Sequence, residues 1–288
     1  MDRTQYKCCR RGANLRRKRR RHRKIRSSVI FSCSIIAVAV FVIVGSRIIT
    51  SGDGGTNKYD VEAGNNTYDN ADIENTKISE KNKIQNNQSM LDDIMNSTQY
   101  PKQLQELALK NEEALEFVYD YPTEHVKEHI VDLTEEASMD SVPLFVQWDK
   151  RWGYEKYSGN FFAASGCGPT TLSMVVVYLT HNRDASPLAV AKYSKEAGYS
   201  VDGSGSSWTL ISEGCRHYGV KAKTVSLDES RMKAELDAGH PIVVNVGPGD
   251  FTDTGHFMVI TGYDDEGFSI NDPNSIEKSG KRWLFKNI

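Results

Sequence analysis

Ser165-Gly166-Cys167-Gly168-Pro169-Thr170-Thr171-Leu172-Ser173-Met174-Val175-Val176-Val177-Tyr178-Leu179 opens on a glycine-flanked cysteine and runs straight into an apolar stretch. Proline is tolerated in a helix only within the first turn, where its missing N–H costs no hydrogen bond. Pro169 therefore puts Cys167 at or next to the N-terminus of a helix covering the apolar residues. A thiol attacks as the thiolate, and a free cysteine with a pKa of about 8.5 holds little thiolate at neutral pH. The unpaired N–H groups and the dipole at a helix start favour the anion. Gly166 and Gly168 would let a substrate approach the backbone closely. The bland alternative is that Cys167 is a small buried hydrophobe, the usual fate of a lone cysteine.

Downstream, Ser186-Pro187 opens a second helix to about Ala197, Gly203–Ser207 reads as a loop, and a third helix covers Trp208–Tyr218. The period then shifts. Lys221–Val225 and Ile242–Val246 read as strands with a helix at Glu229–Asp237 between them. His256–Tyr263 and Phe268–Asp272 are two more strands, joined by the hairpin signal Asp264-Asp265-Glu266-Gly267. Helices followed by mostly antiparallel strands make an α+β domain.

A nucleophilic cysteine needs a base that takes its proton and later returns it to a leaving amine. His22, His125, His129, His181, His217 and His240 lie ahead of the core or at helix ends and turns; His256 alone opens a core strand. Asp272 ends the returning strand, so the hairpin brings it back towards His256, though the turn alone leaves the register open by a residue or two. Its carboxylate is expected to accept the His256 Nδ1 hydrogen and hold the ring's tautomer. Asn-Asp-Pro-Asn is also rich turn chemistry, so a capping role competes. Asn271 is the alternative orienter, but alternation along a strand points it to the opposite face. For an oxyanion, the Cys167 N–H and the side-chain amide of Gln147 are the candidate donors.

Upstream the chain changes character three times. Residues 1–26 are basic, with Asp2 the single acid, so the net charge of −2 averages a basic head with an acidic body. Ser27–Ser46 is uncharged and rich in Ile, Val, Phe and Ala. As a helix it rises about 30 Å, the thickness of a bilayer's hydrocarbon core. The basic run Arg16–Lys24 before it favours a cytoplasmic N-terminus. A transmembrane helix is thus expected over 27–50. A cleaved signal peptide is the competing reading, weakened by the run's length and the lack of an A-x-A site. The basic run is explained by topology and anionic lipid, and no nucleic-acid partner is expected. Residues 51–97 are Asn-, Asp-, Lys-, Ser- and Gly-rich and read as a flexible stalk. A helical lead-in over 98–140 follows, opened by Pro101 and closed by Pro122, with Leu104, Leu107, Ala108, Leu115 and Val118 at helical spacing. The last domain covers 141–288. Of five cysteines, only Cys167 and Cys215 fall in the folded part, which is no disulfide scaffold. Without CxxC or HExxH spacing, no metal or organic cofactor is expected.

Four stretches in order carry a resemblance: Gln147-Trp148-Asp149-Lys150-Arg151-Trp152-Gly153-Tyr154; Ser165–Thr170; Gly249-Asp250-Phe251 with Gly255-His256-Phe257; and Asn271-Asp272-Pro273-Asn274. Together they resemble the bacterial C39-like peptidases, of papain-like fold, over about Tyr100 to the C-terminus. His256, then Thr261-Gly262-Tyr263, then a polar residue at 272 is similar to papain's His-to-Asn hairpin, with Asp as the third member here. The resemblance implies Cys167 as nucleophile, His256 as general base, Asp272 as orienter and Gln147 as oxyanion donor. The substrate would be a peptide or protein, cell-wall peptides among the candidates. C39 peptidases fused to transporters cut leader peptides in the cytoplasm. This chain shows no transporter, and its topology implies an extracellular domain. Relatives also continue past the Trp283 region, so an end at Ile288 is expected to weaken folding or activity. The expectation is a membrane-anchored cysteine peptidase. A transglutaminase-like acyl transferase and a non-catalytic cell-surface binding module are the rivals.

Overall fold

The structure is a computed structural model and describes residues 70–288, with side chains from residue 79 onward. The expected basic segment, the membrane helix at 27–50 and the first part of the stalk lie outside the described residues. Among the described residues no helix is long and apolar enough to cross a membrane.

Over 70–96, where composition predicts a flexible stalk, the chain is a helix, α1 (Asn70–Asn96). Its last turns explain the difference. Met90, Leu91 and Ile94 share one helix face, and Ile94 is fully buried. The polar average over the segment conceals this short stripe. The lead-in is not one helix but α2 (Lys102–Lys110), a 3-10 turn (Glu112–Ala114), α3 (Leu115–Tyr119) and α4 (Tyr121–Glu124). Asn111 breaks it in an extended conformation, and its side chain accepts from Glu113 N at 3.0 Å. Leu104, Leu107, Leu115 and Val118 meet Ile94, Phe161 and Ala163 in one core, which joins the lead-in to the domain behind it.

That domain begins with a short hairpin, β1 (Lys156–Tyr157) and β2 (Asn160–Phe161), and the single turn α5 (Phe162–Ser165). The helix α6 (Cys167–Thr180) follows, with Cys167 as its first residue and Pro169 in its first turn. Residues Gly168–Val177 are all buried, as a helix apolar on every side must be. Then come α7 (Pro187–Glu196), N-capped by Ser186, the small hairpin β3 (Ser200–Val201) and β4 (Gly205–Ser206), and α8 (Thr209–Ser212). The helix expected over Trp208–Tyr218 is split. Gly214, packed against Tyr199 and Leu210, starts a separate 3-10 turn that Gly219 closes at φ 77°. Lys221–Val225 is no strand: residues 221–224 are exposed and join no described strand, so β-type residues there have no ladder.

After α9 (Glu229–Asp237) the chain forms one antiparallel sheet in the order β5 (Ile242–Val246), β6 (His256–Asp264), β7 (Gly267–Asn271), β8 (Arg282–Trp283), with α10 (Ile276–Ser279) between the last two. The sheet divides two cores. Phe257 and Val259 of β6 point into the core around α6, with Leu172, Met174 and Val176. Met258 and Ile260 point the other way, onto Phe268, Ile270 and Met232. This is the period-2 alternation of a strand covered on both faces.

Candidate active site

The site lies where the start of α6 meets the start of β6. Gly166 is the residue before α6, and Cys167 is its first residue. Thr171 Oγ1 donates to Phe257 O at 3.1 Å and so ties the first turn of α6 to β6 beside His256. The glycines flanking Cys167 serve internal packing rather than substrate approach. A Cβ at Gly166 would stand 2.5 Å from the Phe162 ring, and one at Gly168 would stand 2.6 Å from Ser206 Oγ.

His256 opens β6 opposite Val246 of β5. Its Nε2 lies 2.6 Å from Asp272 Oδ1, and both residues are buried. The expected Nδ1 contact is therefore corrected: Nε2 holds the carboxylate, which leaves Nδ1 as the ring nitrogen available to the Cys167 thiol. Asn271 is not the orienter. Its Nδ2 donates to Val142 O and Pro143 O, both at 3.0 Å.

The hairpin's register explains why Asp272 reaches His256. Near the turn, Asp264 pairs with Gly267, Tyr263 with Phe268 and Gly262 with Ser269; beyond it, Ile260 pairs with Ile270 and Val259 with Asn271. Thr261 is the extra residue of a β-bulge. Without it Asp272 would fall opposite Val259, on the face that Phe257 shares. With it Asp272 falls opposite Met258, on the face of His256. One inserted residue exchanges the two faces of a strand.

The electrostatics favour an ion pair. Burial works against the Cys167 thiolate. The hydrogen bond and charge of His256 outweigh it, aided by backbone N–H groups of Phe257 and Gly168, and the thiol pKa falls below its ordinary value. Burial likewise works against a charged His256, but hydrogen bonds to Asp272 and Cys167 and the charge of Asp272 overcome it and raise the ring to about 9. Each group holds the other in its charged form. Gly168 supplies one of the helix-start N–H groups expected from the sequence, whereas the Phe257 donor has no side-chain signature and the sequence could not announce it.

Cys167 and His256 open onto a cleft of about 460 Å³. Gln147 lines it too. Its backbone N–H donates to Pro273 O at 2.7 Å and its Nε2 donates to Ala163 O at 2.7 Å, which leaves one amide hydrogen uncommitted. The loop Gly247–Gly255 forms part of the rim, anchored by buried Phe251 against the Trp283 ring at 4.4 Å. The opposite wall comes from α2, through Gln103, Glu106 and Lys110. The sequence reading had no signal for that wall, because these exposed polar residues look like any solvated helix face.

A family model described as the Peptidase_C39 like family matches residues 139–287. The chain belongs to that family. No curated protein and no solved structure matches it. The C39-like domain thus covers everything from the segment before Gln147 to the last strand, and its mixed helices and antiparallel sheet fit that membership. The resemblance was expected to reach back to Tyr100, whereas the match begins at residue 139, at the end of the lead-in. Membership supports peptidase activity at the level of the family.

Proposed function

We propose that the C39-like domain hydrolyses peptide or amide bonds through a thioester on Cys167, with His256 as acid and base, Asp272 as orienter and Gln147 as oxyanion donor. The observation that carries this reading is the His256 ring, bonded through Nε2 to Asp272 Oδ1 at 2.6 Å and lining one cleft with Cys167 at the head of α6. The Cys167 sulfur attacks the carbonyl carbon. The oxygen that becomes negative takes hydrogen bonds from Cys167 N–H and the free amide hydrogen of Gln147. His256 Nδ1 passes its proton to the leaving amine as the C–N bond breaks. The ring then takes a proton from water, whose oxygen attacks the thioester, and the carboxylic acid leaves as the thiolate–imidazolium pair reforms.

The papain-like course of the fold belongs to the same proposal, as does the location. The apolar Ser27–Ser46 behind the basic Arg16–Lys24 supports an anchor that leaves the domain on the outer side of a membrane, facing peptides or proteins there, cell-wall peptides among them. The test is turnover of a diverse peptide mixture by the full chain, read by mass spectrometry with and without an added primary amine. New carboxyl termini that disappear in Cys167→Ala support hydrolysis. Amine-capped products would instead make it an acyl transferase. If the chain forms no product and its Cys167 labels with iodoacetamide no faster than a free thiol at pH 6, the binding-module reading prevails. Labelling of intact cells by an impermeant thiol reagent at Cys167 tests the location.

A further inference from the structure

The carboxylate of Asp272 is held by few contacts. Its Oδ1 takes His256 Nε2 and, at 2.8 Å, the backbone N–H of Asn274; its Oδ2 is buried with no hydrogen-bond partner among the described residues. Where that carboxylate sits therefore depends on the turn Asp272–Ser275. The turn is stitched internally: Asp272 N donates to Ser279 Oγ at 2.9 Å, and Ser279 Oγ donates to Ser275 O at 2.7 Å. From inside the C39-like domain, Trp148 Nε1 reaches Asn274 O at 3.2 Å and Gln147 N reaches Pro273 O.

The remaining ties come from outside the family-matched segment. Asn111 Nδ2 donates to Asn274 O at 2.9 Å and lies 3.1 Å from Asn274 Oδ1. Glu113 takes the other end of the turn. Its Oε1 accepts from Ser275 Oγ, and its Oε2 accepts from Ile276 N at 2.7 Å and Glu277 N at 3.1 Å. These are charge-assisted bonds to backbone donors that the short α10 leaves without partners of its own. Asn111 and Glu113 are also bound to each other, Asn111 Oδ1 accepting from Glu113 N. We propose that Asn111 and Glu113 are positioning residues for Asp272: the lead-in is a working part of the active site, and it locks the turn that aims the carboxylate at His256. The proposal rests on the triad reading above. It assigns a catalytic consequence to a segment that precedes the matched domain.

The consequence has a definite sign. If the turn loosens, the Asp272 carboxylate no longer holds the charged ring. The imidazolium is then less favoured, its hold on the sulfur weakens, and the thiol needs a higher pH to ionise. The experiment uses the full-length chain and follows iodoacetamide labelling of Cys167 against pH, read on the Cys167 peptide by mass spectrometry, with thermal unfolding as the fold control. Glu113→Ala is expected to unfold cooperatively yet show its labelling profile displaced to higher pH, with about tenfold slower labelling along the acid limb, the effect of one pKa unit at the thiol. Glu113→Gln keeps an acceptor and is expected to stay within about threefold of the parent chain. Glu112→Ala is the control, because Glu112 in the same 3-10 turn accepts from Asn87 on α1 and does not touch the Asp272 turn; it should label like the parent.

A folded Glu113→Ala with the parent profile overturns the proposal. If Glu113→Ala does not fold, Asn111→Ala decides in its place, since it removes only the Asn274 contacts and the Glu113 N acceptor. His256→Ala separates the two levels. A changed profile there with none in Glu113→Ala or Asn111→Ala removes the positioning role alone, whereas an unchanged profile in His256→Ala removes the triad reading itself.

Discussion

Helix α6, which carries Cys167, is buried without a break from Gly168 to Val177, whereas β5, the strand beside His256, buries only Ile242 and is an edge strand of its sheet among the described residues. One half of the site is packed from all sides. The other hangs on a four-stranded sheet whose edge strand β5 is mostly half-buried. Most polar groups inside the helical half are tied off within it, Ser173 Oγ donating to Ala185 O and Thr170 Oγ1 to Gly166 O, while Thr171 Oγ1 reaches Phe257 O on β6. In the sheet half, the Asp272 carboxylate sits on a turn braced by a separate segment of chain. The sulfur is thus set by packing, and the imidazole and carboxylate by hydrogen bonds. Packing resists displacement because any movement opens a void or a clash. A hydrogen bond contributes only about 1 kcal/mol net, so its geometry yields more readily.

The two cysteines sharpen this contrast most. Cys167→Ala is expected to lower peptide hydrolysis by about 10⁴-fold or more, while Cys215→Ala, in the apolar core of the same half, should leave the rate within about twofold. Progress curves on a common fluorogenic peptide check both, and equal losses would mean that Cys167 is merely structural. Next in size is the sheet half's own chemistry. His256→Ala should cost about 10²–10⁴-fold in kcat/KM. Asp272→Asn should cost less than Asp272→Ala, because an amide oxygen still accepts from Nε2; the reverse order would deny Asp272 its orienting role.

Stability gives a third comparison. Met174→Ala in α6 should cost about 2–5 kcal/mol in urea unfolding, as expected where a buried side chain leaves a void. Val244→Ala on the half-exposed β5 should cost less than about 1.5 kcal/mol, and similar values would erase the difference between the halves. The smallest effect is in the pH profile. The active pair needs an ionised Cys167 and a protonated His256, so kcat/KM should fall on the acid side as the sulfur gains its proton. It should fall again on the alkaline side as the ring loses its proton near about 9. In Asp272→Asn the alkaline limb should move to lower pH, since the Asp272 charge is one of the forces that raise the ring. An unmoved limb would assign that ionisation to another group.

Much of the domain is legible residue by residue where signals are local. Ser186-Pro187 starts a helix because a side-chain cap and a preset φ act within one turn, and Asp264–Gly267 makes a two-residue hairpin turn for the same kind of reason. Glu229–Asp237 and Ile242–Val246 follow from pattern alone. Elsewhere partners far along the chain decide. Lys221–Val225 has strand-like residues and no neighbouring strand. Met90, Leu91 and Ile94 look unremarkable in a polar stretch until Leu104 and Leu115 cover them. Glu113 reads as one acid among many until the turn 163 residues later is seen against it.

What the sequence by itself determined is the candidate triad and its local settings: a cysteine at a helix head, enforced by Pro169, and a histidine and an aspartate on two arms of one hairpin. Those follow from steric rules that act within a few residues. Only the tertiary structure decided how the three meet. The Thr261 bulge turns Asp272 to the His256 face, Nε2 rather than Nδ1 takes the carboxylate, Phe162 and Ser206 demand the glycines beside Cys167, and Asn111 with Glu113 holds the far turn. Each of these depends on atoms brought together from distant parts of the chain, and contacts of that kind exist only once the whole domain has packed.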